Sequence, residues 1–206
     1  MGTLADLKSR IALELARTDL SAQIANAVND AIKYYGRERF WFNQSRNITF
    51  VTVNGQQAYG ATEQALIPNL IKIDGIFFSD EKYPLDRYSA TDFEMLTGGS
   101  TANGRPYAFT YTDNQIFLYP TPNAAYTLRL YAHYRLPVLA DGDTNAWTDD
   151  AEELIRTHAK QILYLDALED DQGAARMSVK IPELLAVLRA ETSSRMGTGR
   201  IRPTQF

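Results

Sequence analysis

Apolar residues recur every three or four positions at the start of the chain. Leu4, Leu7, Ile11 and Leu15 form one set, and Ile24, Val28, Ile32 and Tyr35 a second. This spacing puts each set on a single helix face, so two helices are expected within residues 4–42. Thr3 with Asp6 suits a capping box ahead of the first. Thr18, Asp19 and Ser21 interrupt the pattern and are placed to cap the second, which ends in the aromatic cluster Phe40-Trp41-Phe42.

From about Arg46 the period changes. Ile48, Phe50, Val51 and Val53 lie in a β-branched run that stops at the turn signal Asn54-Gly55. Residues 70–78 form a second apolar run, Ser79 to Lys82 a turn, and Tyr83 to Leu85 a short strand. A short helix is expected over 89–96, with Ser89 as cap and Asp92 after it. Strands are expected at 107–111 and 115–119 around Asp113-Asn114, two residues that tolerate positive φ in a tight hairpin. Residues 126–135 alternate: Tyr126, Leu128, Leu130, Ala132 and Tyr134 face one side, and Thr127, Arg129, Tyr131, His133 and Arg135 the other. That is the pattern of an antiparallel strand with one solvated face.

Helix returns at Asp149, with Leu154, Ile155, Ile162, Leu163 and Leu165 as its apolar side. A last helix carries Met177, Ile181, Leu184, Leu185 and Leu188, and Pro182 either starts it or kinks a longer helix beginning near Ala174. Strands and helices are segregated along the chain, which predicts an α+β fold. The expected domain covers residues 1–192: a bundle of the helices in 4–42 and 149–192, with an antiparallel β module at 46–135 inserted between them. Residues 193–206 read as a flexible tail, with two Gly, one Pro and three Arg but no acid.

Composition narrows the chemistry. The 206 residues carry 21 Lys and Arg against 25 Asp and Glu, so the chain lacks the overall basic character of a general nucleic-acid binder. Cys is absent, which excludes disulfides, thiolate metal sites and Cys nucleophiles. No apolar run approaches the ~20 residues of a membrane span, and charges within residues 1–10 occupy the place of a signal peptide's apolar stretch. A soluble, intracellular protein with no membrane contact is expected. Residues 99–104 have the G-x-x-x-x-G spacing of a phosphate loop, but Arg105-Pro106 follow where Lys and Ser or Thr are required. Asp141, Asp143, Asn145, Asp149 and Glu152 fall at positions 1, 3, 5, 9 and 12 of a calcium-loop spacing. Ala146 replaces the Gly of the sharp turn, and a strand rather than a helix precedes the loop. The competing reading is an acidic loop that ends in a capping box of Asp149 with Glu152. His158 falls on the apolar side of its helix as a half-buried side chain, and His133 on the polar face of a strand. Neither has the partners of a nucleophilic or zinc site. No cofactor is expected, and no enzymatic activity.

Charge and aromatics are distributed more informatively. Residues 141–171 hold ten acids against Arg156 and Lys160, while Arg195, Arg200 and Arg202 make the tail basic. An acidic stretch and a basic end in one chain suit contacts between copies or with a partner. The β module is rich in Tyr and Phe. One sheet face buries about half of them by alternation, leaving others as interface material.

Several features together resemble a known family. A helical N-terminus closes on Arg39-Phe40-Trp41-Phe42. Ile116-Phe117-Leu118-Tyr119-Pro120-Thr121-Pro122 then leads into the strand at 126–134. Pro137, Trp147 and the helix start Glu153-Leu154-Ile155 follow. Over about residues 4–189 this resembles the head-to-tail adaptor (connector or head-completion) proteins of tailed double-stranded DNA bacteriophages. The resemblance implies a ring of twelve copies under the portal protein of the virion neck, assembled in the host cytoplasm. The ring would extend the DNA channel without sequence-specific binding and give the next tail or neck protein a platform. It also implies that the C-terminal segment reaches the portal, with Arg195, Arg200, Arg202 and Phe206 as contacts. Asp149, Asp150, Glu152, Glu153, Asp166, Glu169 and Asp170 are the channel-lining candidates. Two rival classes stand beside it: another neck or tail-completion component, and a metal-dependent enzyme built on the Asp141–Glu152 loop.

Overall fold

The computed structural model of the protein describes residues 2–99 and 102–197. In chain order the elements are α1 (Leu4–Leu15), α2 (Ser21–Tyr35), β1 (Gln44–Val51), β2 (Ala58–Tyr59), β3 (Leu70–Phe78), β4 (Asp86–Arg87), α3 (Ala90–Thr97), β5 (Asn103–Gly104), β6 (Ala108–Thr112), β7 (Gln115–Tyr119), β8 (Thr121–Pro122), β9 (Thr127–Tyr134), α4 (Glu152–Asp166) and α5 (Asp171–Met196). One-turn 3-10 helices stand at Trp41–Asn43 and Ile67–Asn69. Four of the five helices flank a block of strands, so the fold is α+β. The chain divides into two compact units, one of Met1–Phe42 with Leu136–Phe206 and one of Asn43–Arg135.

In the helical unit the N-terminal stripe does what its spacing implies. Leu4, Leu7 and Ile11 are buried, and Thr3 and Asp6 exchange the two hydrogen bonds of a capping box. The second cap differs from expectation. Leu20 holds the N-cap position of α2 without a side-chain bond. Asp19 is unavailable because Arg17 donates to both of its carboxylate oxygens, at 2.7 and 2.6 Å. That hydrogen bond is the main reason its carboxyl is lowered to about 2. Helix α2 also closes earlier than expected, at Tyr35, with Gly36 as its C-cap. Phe40 and Phe42 belong to the following segment, where they pack on Trp147.

The helix expected from Asp149 begins at Glu152 instead. Upstream, Asn145 organises a turn: its side-chain oxygen accepts from Trp147 N–H, and Asp149 and Asp150 N–H donate to the carbonyls of Asn145 and Ala146. The Asp149 capping box therefore does not form, and Ala151 is the N-cap without a side-chain bond. Beyond it, α5 is one continuous helix through Pro182 to Met196, past the expected boundary at Ser193. Pro182 is exposed. It has no N–H to donate to the Ser178 carbonyl one turn back, and Ser178 is an exposed residue too. At the α4–α5 turn only Gly fits position 173. A Cβ there would lie 2.6 Å from the Asp170 carboxylate and 2.7 Å from the Tyr164 ring. That carboxylate caps α5 by accepting from Gly173 N–H.

The β unit holds a three-stranded antiparallel sheet ordered β1-β9-β3 and a four-stranded sheet ordered β2-β7-β6-β4. β4 joins β6, and β5 joins β8, as two-residue parallel pairs. Asp113 and Asn114 take φ of 50° and 58°, the hairpin geometry their residue types allow. Gly55 takes φ of 80° at the expected turn, and Ser89 caps α3 by accepting from Asp92 N–H. Ile48, Phe50, Ile76, Phe78, Leu128, Leu130 and Ala132 of the first sheet form one buried cluster with Tyr59, Phe109, Ile116 and Leu118 of the second.

Candidate functional site

The channel-lining candidates divide into two groups. Asp149 and Asp150 stand just before α4, with Glu153 in its first turn; Asp166, Glu169 and Asp170 cluster at its other end. At 1.5 Å per residue the two groups are about 20 Å apart along the helix. Asp149, Asp150, Glu153, Asp166, Glu169 and Asp170 are exposed. Asp150, although exposed, has its carboxyl pKa raised by partial desolvation and by the like charges of Asp149 and Glu191, against the pull of Arg195. Glu152 has a different role. It is half-buried, accepts from Arg156 Nε at 2.9 Å, and pairs with Arg10 at 3.3 Å. Arg156 and Lys160 also converge on Glu14 of α1, at 2.5 and 2.6 Å. Burial raises the Glu14 carboxyl, but its hydrogen bonds and charge contacts with Lys160 and Arg156 outweigh this and hold it below the ordinary value. These cations tie α4 to α1.

The calcium-loop residues do not converge. Asp141 accepts from Lys8 Nζ at 2.6 Å, and the Asp143 carboxylate from Ala140 N–H at 2.9 Å. The main-chain carbonyls of Asp141 and Asp143 accept from Ala5 and Leu4 N–H. The loop thus completes the first turn of α1, whose donors have no partner within the helix. Among the described residues no three acidic or His side chains are grouped to hold a metal ion.

Of the expected basic contacts, Arg200, Arg202 and Phe206 lie outside the described residues. Arg195 lies in the last turn of α5, pairs with Glu191, and stands over the Trp41 ring at 3.7 Å. Trp41 as its seat had no signal in the sequence, because the two are far apart in the chain and neither pattern points to the other.

His133, expected on the polar face of its strand, is instead 1% exposed, buried like Ala132 beside it, with Nδ1 3.1 Å from Asp74 Oδ2. β3 shifts register between Ile73 and Gly75, opposite this part of β9. His158 is half-buried as expected, edge-on to Tyr34 and Tyr35 at 5.1 and 5.3 Å. Burial lowers its pKa from about 6.5. The unfolded chain therefore binds more protons between the folded value and 6.5, so stability is retained above 6.5 and falls as pH drops through that window. Urea midpoints of the His158→Leu variant are expected to lose that part of the slope between pH 7 and pH 5.5. An unchanged slope would show that other groups supply it.

The aromatics of the β unit divide between core and surface. Tyr59, Phe78, Phe93 and Phe109 are buried, while Tyr83, Tyr107 and Tyr131 are 81%, 48% and 38% exposed. Among the described residues, no helix is long and apolar enough to cross a membrane.

A family model described as SU10 adaptor protein matches residues 2–203, nearly the whole chain. No curated protein matches it.

Proposed function

The chain belongs to the SU10 adaptor protein family, and from that premise we propose that it is the head-to-tail adaptor of a tailed phage, a ring of twelve copies under the portal in the virion neck. The family match over nearly the whole chain carries this reading, and it agrees with the resemblance read from the aromatic and Pro positions. The role is structural, with no cofactor and no catalysis.

The two exposed acid groups at the ends of α4 suit a DNA channel. Carboxylates repel the phosphate backbone, so DNA passes without sticking. Asp149, Asp150, Glu153, Asp166, Glu169 and Asp170 serve this role; Glu152 is engaged by Arg156 and Arg10 instead. The exposed Tyr83, Tyr107 and Tyr131 suit contacts between neighbouring copies, where a head-to-tail interface closes into a ring by rotation. The segment from Ser193 to Phe206 is the portal contact, with Arg200, Arg202 and Phe206 available to acidic portal grooves beyond Arg195. The far side of the ring receives the next tail or neck protein.

Mixing the purified chain with the portal protein encoded nearest to it tests this, with native mass as the readout. The expected product has the symmetry of the portal ring and is lost when residues 193–206 are deleted. If the full chain ignores the portal at micromolar concentration, the adaptor role gives way to that of a neck or tail-completion component that binds tail instead.

A further inference from the structure

We infer that the last two turns of α5, residues 189–196, form a separately releasable arm, latched onto the 38–41 segment by two arginines rather than by the core. Leu188 is the last buried residue of the helix. From 189 to 196 every side chain is exposed or half-buried, and Thr192 turns its hydroxyl back onto the Leu188 carbonyl.

Two arginines fasten this stretch to the segment after α2, and the Asp150 carboxylate adds a weaker charge interaction with Arg195. Arg189 forks onto Glu38, with Nε 3.1 Å from Oε2 and Nη2 3.0 and 2.9 Å from Oε1 and Oε2. Six residues later the Arg195 guanidinium covers the Trp41 ring at 3.7 Å, held also by Glu191 one turn back. Six residues span about 9 Å of helix, so the two latches bracket the arm. The base of the latch is firm. Trp41 packs edge-on to Phe42 at 5.7 Å, and Phe42 stacks on Phe40 and meets Trp147, both at 5.1 Å. A rigid aromatic seat thus faces a helix end with no buried apolar side chain of its own.

Helix ends held by exposed ion pairs and cation–π contacts open locally at far lower cost than a packed core. An acidic protein surface is the partner chemistry that fits the opened arm. Its carboxylates would take the two guanidiniums in place of Glu38 and Trp41, exchanging one forked pair for another at Arg189 and a ring contact for an ion pair at Arg195. The latch is intramolecular and independent of portal binding; only its use by an acidic partner rests on the proposed function.

Hydrogen exchange of the full chain, resolved by segment, tests the latch without any partner. In Arg195→Gln and Glu38→Gln, exchange over residues 189–196 is expected to rise about three- to tenfold, with residues 152–166 unchanged within twofold. Trp41→Leu should act in the same direction. Arg195→Lys should restore protection only in part, because an ammonium keeps the charge but not the planar stack. Arg195→Gln leaves the core untouched, so it decides the matter should Trp41→Leu disturb folding. Unchanged exchange over 189–196 in Arg195→Gln would overturn the proposal. So would equal acceleration of α4 and all of α5, since the arm would then open only with the core.

Discussion

Replacing Trp147 with alanine is expected to destabilise the helical unit by about 3–5 kcal/mol, the range for emptying a large aromatic site in a packed core. Trp147 is 1% exposed and follows a turn set by the Asn145 side chain. Its ring meets Phe40 at 5.9 Å and 88° and Phe42 at 5.1 Å and 82°, both edge-to-face. Such pairs add to the value of burial itself. The cavity would open where the segment after α2 meets the approach to α4, among side chains fixed by their own packing. At this chain length the loss corresponds to a fall in melting midpoint of roughly 6–20 °C. Trp147→Phe should recover part of it. A midpoint within 2 °C of wild type for Trp147→Ala, as about 1 kcal/mol or less would give, would show that the site collapses around the missing ring.

The second large effect lies in the β unit. Leu130→Ala is expected to cost about 2–5 kcal/mol. Leu130 is fully buried on the central strand β9, in register with Ile48 of β1 on one side and Ile76 of β3 on the other, and both are buried as well. Removing it empties the middle of a row of three. Leu130→Met, which keeps the volume, should cost less than about 1.5 kcal/mol. Urea unfolding gives the magnitude, and hydrogen exchange locates it: residues 43–135 should lose protection first. Loss beginning in α1 or α2 would contradict the placement of Leu130 in the β core.

What could be read from the sequence was local. Leu4, Leu7 and Ile11 bury one helix face because their spacing matches the turn of the helix. Residues 70–78 form the expected strand, and Asp113-Asn114 makes its hairpin because both residue types tolerate positive φ. The alternation of β9 placed Leu128, Leu130 and Ala132 in the core. The segregation of helices from strands was enough for an α+β fold, and aromatic and Pro positions were enough for a family resemblance.

Other features depended on partners distant in the chain. The acids from Asp141 to Glu152 had nearly the spacing of a calcium loop, yet Lys8, Leu4 and Ala5 claim the start of that loop for α1. Leu165 fits the apolar stripe of α4 but, next to the end of the helix, is 50% exposed. Arg195 read as part of a free basic end and is seated on Trp41.

The sequence by itself determined the order of the main helices and strands, their positions to within a few residues, and the apolar positions of the main helices and of β9, because periodicity and turn chemistry act over a few residues. The tertiary structure alone decided which charges are engaged and which remain at the surface. A carboxylate or guanidinium takes whichever counter-charge or ring the fold brings within about 4 Å, and no short-range pattern carries that distance.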